Sequence, residues 1–138
     1  MPAGTTPIFT RAPDVQWSTA NITAANTAKD GTGTVDTVFT ADATEGSYLE
    51  RLTIRPRGTN VASVLRIFIN NGLTNVTPAN NTFFAEQGLT ATANSEVAAI
   101  QGAVIPMNIA LQPGFRVQVT IGTAVAGGFS VTGNGGKY

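Results

Sequence analysis

Apolar and polar side chains alternate most regularly over residues 115–121, where Phe115, Val117, Val119 and Ile121 are separated by Arg116, Gln118 and Thr120. A period of two is that of a β-strand with one buried face. Gln112, Pro113 and Gly114 supply the turn before it. Residues 64–69 are apolar in both phases except for Arg66. They predict a central strand covered on one side by a second sheet and on the other by something else. Asn70, Asn71 and Gly72 end that strand with residues that tolerate positive φ. Residues 48–55 predict a further strand, with Tyr48, Leu52 and Ile54 on one face, Arg51, Thr53 and Arg55 on the other, and Pro56 closing it.

Weaker alternation predicts strands at 15–22, 34–40, 82–90, 103–109 and 129–132. Short strands between Gly-, Asn-, Pro- and Thr-rich turns favour an antiparallel sandwich or barrel over an α/β fold. Residues 94–101 carry a weak helical pattern, with Asn94 as cap, Val97 and Ile100 on one face and Gly102 as the stop. They read better as strand or loop. Pro2, Pro7 and Pro13 oppose ladder pairing, so residues 1–14 are expected to form an extended arm carrying Ile8, Phe9 and Arg11. Residues 15–138 then make one domain, and no repeat or composition shift marks a second.

Composition mainly removes functions. The 138 residues contain no cysteine and no histidine. Disulfides, thiolate or histidine metal sites and Ser/His/Asp chemistry are therefore excluded, and neither enzyme activity nor a cofactor is expected. Eight Lys and Arg balance eight Asp and Glu, and only 12% of residues are charged, against roughly 25% in ordinary soluble domains. So little charge suits equally a surface that docks on neighbours and a neutral monomer kept soluble by its many Thr, Asn, Ser and Gln. Zero net charge also argues against a nucleic-acid partner, whose phosphates need clustered cations. No apolar run approaches a membrane span, and the start Met1-Pro2-Ala3-Gly4-Thr5-Thr6 lacks the basic and apolar regions of a signal peptide. Synthesis in a cytoplasm without membrane insertion is the expectation.

Few residues are candidates for specific contacts. Gly31-Thr32-Gly33-Thr34 has neither the Lys-Ser/Thr partner nor the helix of a phosphate loop, and reads as a connection. Asp30, Asp36, Asp42, Glu45 and Glu50 lack the register of a calcium loop or an identifiable acid–base pair, and read as solvated loop charges. Arg51, Arg55, Arg57 and Arg66 are half of the positive charge on two consecutive predicted strands. They are expected either to pair with the nearby carboxylates or to contact another subunit. Trp17, the only tryptophan, is expected in the core, with an exposed platform for a sugar or protein as the alternative. The triplets at Asn21, Asn75 and Asn80 arise by chance in a chain this rich in Asn and Thr.

Three runs carry a resemblance to a known family: Arg51-Leu52-Thr53-Ile54, Gly58 to Ala62, and the segment Val64-Leu65-Arg66-Ile67-Phe68-Ile69-Asn70-Asn71-Gly72. With Ile105-Pro106-Met107-Asn108 and the turn Leu111-Gln112-Pro113-Gly114-Phe115, they resemble small structural proteins of tailed bacteriophages. The resemblance covers residues 47–138 and implies a jelly-roll head decoration, or cement, protein. Such a protein is expected as a homotrimer on the major capsid protein, on the outer surface of the virion head. Ile8, Phe9, Arg11, Arg51, Arg55, Arg57 and Arg66 are the expected capsid or intersubunit contacts. A trimeric baseplate or tail-fibre domain is the first rival. A carbohydrate-binding module is the second, and it would require Trp17, Tyr48 or Tyr138 exposed together on one face.

Overall fold

The computed structural model describes residues 10–138. Eight strands follow one another: β1 (Ala12–Trp17), β2 (Asp36–Thr40), β3 (Ser47–Pro56), β4 (Ser63–Asn70), β5 (Asn81–Leu89), β6 (Ala103–Leu111), β7 (Arg116–Ile121) and β8 (Phe129–Lys137). A single 3-10 turn, Pro78–Asn80, precedes β5. β1 pairs with β8, β2 with β7, β3 with β6 and β4 with β5, all antiparallel. These nested pairs describe one long hairpin ribbon whose tip lies between β4 and β5. Rolling the ribbon adds the pairs β3 with β8 and β4 with β7. The result is two four-stranded sheets, β1-β8-β3-β6 and β2-β7-β4-β5, packed face to face. This connectivity is that of a jelly roll, as expected.

The inner faces carry the core. Leu49, Leu52, Ile54, Phe129 and Val131 of the first sheet meet Phe39, Leu65, Ile67, Val117, Val119 and Ile121 of the second, all fully buried. β4 is an inner strand, flanked by β5 and β7, and Phe68 on its other face is also buried. Both halves of the expectation for residues 64–69 hold.

Several boundaries and phases differ from the sequence reading, each for a local reason. Glu50 bulges out of the β3–β8 ladder, which advances the alternation by one residue. Leu49 therefore takes the core position and Tyr48 turns outward, its hydroxyl 3.2 Å from Asn108 Oδ1. Pairing starts at Ala12, inside the stretch assigned to the arm, because Pro13 sits on an edge strand where a missing N–H costs no ladder bond. β1 ends at Trp17, and Ile22 makes only an isolated bridge to Phe129. β8 runs on to Lys137 despite three glycines. Gly135 is required there, because a Cβ would overlap the Tyr48 carbonyl oxygen, and Gly133 fits closely against the Phe39 ring. Residues 94–101 form a loop without helix or strand. Residues 1–9, with Ile8 and Phe9, lie outside the described residues.

Residues 115–121 were expected to have one wet face, yet Gln118 and Thr120 are buried. The connection from β1 to β2 explains this. Asn26 N–H donates to Ile121 C=O at one end of β7. Further on, Asn81 Nδ2 donates to Asp30 C=O, and Asn75 Nδ2 donates to Gly31 C=O and Gly33 C=O, beyond the far end of β4. The chain between crosses the outer face of the second sheet before re-entering it at Asp36. Gly31 has φ 79°, and a Cβ there would lie 2.6 Å from Asn81 Cβ, so only glycine lets the crossing lie this close.

Two side chains close the edges of the sandwich by imitating backbone. Gln16 Nε2 donates to Thr40 C=O and Gln16 Oε1 accepts from Thr40 N–H, both at 2.9 Å, joining β1 to β2 across the two sheets. Asn60, 3% exposed, makes the same reciprocal pair with Gly128, at 3.0 Å to C=O and 2.8 Å from N–H. Replacing Asn60 with Ala leaves the buried Gly128 N–H without a partner, while Gly128 C=O keeps its bond from Arg57 N–H. Asn60→Ala is expected to lower the unfolding free energy by about 1–3 kcal/mol in urea titration with an unchanged slope. A loss under about 0.5 kcal/mol would contradict this role.

Candidate binding surfaces

The carboxylates serve the turns in which they lie. Asp30 accepts from the Thr32 hydroxyl and backbone N–H, which hold its carboxyl below the ordinary range. Asp42 Oδ1 accepts from the N–H groups of Glu45 and Thr44, and its carboxyl is likewise lowered, chiefly by those two bonds. No group of three His, Cys, Asp or Glu converges on a possible metal position among the described residues. Asp36 differs, because burial at the start of β2 pushes its carboxyl up.

The four arginines singled out in the sequence do not share one surface, because β3 and β4 belong to different sheets. Arg51 and Arg55 lie on β3, with Arg57 just beyond its end. Arg51 Nη1 lies 2.9 Å from its neighbour Glu50, the one pairing within the chain that the sequence reading anticipated. Arg55 and Arg57 are exposed and form no ion pair among the described residues. Arg11 is exposed, its backbone N–H bonded to Lys137 C=O. Arg66 lies on the outer face of the second sheet, in register with Thr120 and Glu86. Its Nε and Nη1, together with Gln118 Oε1 and Thr120 Oγ1, are buried without partners among the described residues.

Two surfaces stand out instead. The first is the outer face of sheet β1-β8-β3-β6. Register aligns Trp17, Thr132, Thr53 and Val104 in one row across the four strands, and Val15, Asn134, Arg51 and Pro106 in the next. Trp17 is 61% exposed, Val15 51% and Val104 59%. The expectation of a core tryptophan is therefore corrected. Gln16 turns into the seam between the sheets, and strand alternation points Trp17 outward. Tyr48 is on the same face, in the row of Pro13 and Ala110.

The second surface is the β5 edge with the β4–β5 connection. Phe83 and Phe84 are each 40% exposed, and Leu73 and Val76 of the connection are more so. Phe83 meets the buried Phe68 edge to face, with centroids 5.2 Å apart. The β5 residue opposite Ile67 is Ala85 and that opposite Phe68 is Phe83, so Phe84 is an extra residue in the ladder. The adjacent pair Phe83-Phe84 was the available sequence signal, since two consecutive aromatics cannot both face one core. A small cleft of ≈ 150 Å³ opens nearby, lined by Ile54, Gln87, Leu89, Gly102 and Phe129 among others.

No protein-family model, no curated protein and no solved structure matches the chain.

The raised Asp36 carboxyl gives a signed expectation. Its ionised form is disfavoured in the fold, so above its folded-state pKa it subtracts stability, and below its unfolded-state value the deficit disappears. Asp36→Asn should raise Tm at pH 7, with the gap to the parent closing below about pH 4. Equal Tm values at pH 7 would contradict the burial of this group.

Proposed function

We propose that the chain is a capsid decoration protein, a structural component that binds the outer surface of a phage head as a homotrimer and stabilises it. The observation that carries this reading is the state of the sheet edges. β6 is blunted by Pro106 and by Asn108 at φ 47°. β1 carries Pro13 at its second position and is tied by Gln16 to β2, itself only five residues long. β5 has nine residues, no proline and two exposed phenylalanines. Natural proteins protect such edges unless a partner covers them. Among the described residues β5 is the long edge strand without a proline, and its one irregularity, the bulge at Phe84, leaves both phenylalanines exposed, as suits a strand that meets a neighbouring copy or a capsid subunit.

The rest of the surface supports the same reading. Few charges need to be stripped of water on docking, and threefold repetition turns weak contacts into avidity. The resemblance of residues 47–138 to phage structural proteins points the same way.

Phe84→Glu places a charge on the β5 edge without touching the core. The variant is expected to keep the Tm of the parent within a few degrees, while its affinity for assembled heads in co-sedimentation falls at least about tenfold, equivalent to about 1.4 kcal/mol. Undiminished co-sedimentation would remove β5 from the contact. A parent protein that never co-sediments with heads would refute the decoration role and favour a baseplate or fibre component.

A further inference from the structure

The outer face of the first sheet lies away from the β5 edge and has a chemistry of its own. Its two middle strands present Thr132, Asn134 and Ser130 from β8, and Thr53 and Arg55 from β3. None of these five side chains has a hydrogen-bond partner among the described residues. They form a polar floor of three hydroxyls, an amide and a guanidinium. Its walls are apolar, with Trp17 and Val15 on β1 and Val104 and Pro106 on β6. At a strand spacing of about 4.8 Å the walls stand roughly 14 Å apart.

Charge on this face is one-sided. Arg51 is offset by Glu50, but Arg55 has no carboxylate partner among the described residues. Arg55 stands two strands and one row from Trp17, roughly 10 Å across and 7 Å along the sheet. The Arg55 side chain lies against Gly102 on the β6 side, and its flexible stem would have to swing back across β3 to meet a ligand on the indole.

We propose that this face binds an acidic saccharide. A sugar ring presents an apolar C–H face, which suits the exposed indole, and a fringe of hydroxyls, which suits the unpartnered Thr, Ser and Asn groups. A carboxylate on the sugar is the complement of Arg55. A purely apolar partner would leave five polar groups dehydrated and unpaired, which is costly. This site does not depend on the capsid reading, because it uses none of the β5 residues.

Trp17 is the only tryptophan, so intrinsic fluorescence reports on the site directly. Titration with 3′-sialyllactose is expected to give a saturable emission change, with lactose at least fivefold weaker. Ligand-observed NMR, which needs no tryptophan, should show Trp17→Ala weakening sialyllactose at least tenfold. Arg55→Gln should bring sialyllactose down to the level of lactose. Both positions are exposed, and unchanged Tm values verify that the variants fold. No saturable change with either sugar, equal binding of the two, Trp17→Ala binding like the parent, or displacement by an acidic peptide at equal concentration would each overturn the proposal.

Discussion

The layer between the sheets is the contact on which everything else depends. Leu49, Leu52, Ile54 and Val131 meet Leu65, Ile67, Val117 and Val119 there, all from the four inner strands. Each such side chain contributes roughly 1.5–3 kcal/mol on leaving water, and the chain has no disulfide to help. The β3–β8 and β4–β7 pairs exist only in the rolled ribbon, so forming this core and forming the jelly roll are one event. Everything outside the layer serves to close it or to use its outer faces.

Closure is achieved with neutral side chains. Gln16 and Asn60 each satisfy a backbone N–H and C=O pair, sealing places where a sandwich has no ladder of its own. Asn26, Asn75 and Asn81 fasten the β1–β2 crossing over the second sheet by donating side-chain N–H groups to its carbonyls. The abundance of Asn, Thr and Gln, with charged residues at only 12%, thus has a structural cause. Amides do work in this fold that ion pairs do elsewhere, and the outer surfaces stay cheap to dehydrate.

How much of this was legible in the sequence varied with how local its cause was. Residues 64–69 and 115–121 were readable because apolar periodicity is imposed strand by strand. The phase of Tyr48 was not, since the Glu50 bulge has no sequence mark. The full length of β8 is not legible, because Gly133, Gly135 and Gly136 look like breakers, whereas Gly135 lets β8 lie against the Tyr48 carbonyl of β3. The buried Gln118 and Thr120 depend on a crossing segment distant in sequence. The exposure of Trp17 is not legible, because it follows from the polar Gln16 taking the seam toward β2, which turns the apolar phase Val15 and Trp17 outward. The arginines were grouped by proximity along the chain, but successive strands of a rolled ribbon mostly alternate between sheets, which carried Arg66 to the opposite side.

The most direct test of the central claim, that a partner covers the β5 edge in the working assembly, is amide hydrogen exchange of the β5 residues whose N–H groups do not bond to β4. In dilute protein these amides should exchange rapidly. In the proposed homotrimer, or in the proposed complex with heads, they should become protected to the level of β4. Rapid exchange of these amides in every state, with the β4 amides protected throughout, would contradict the claim.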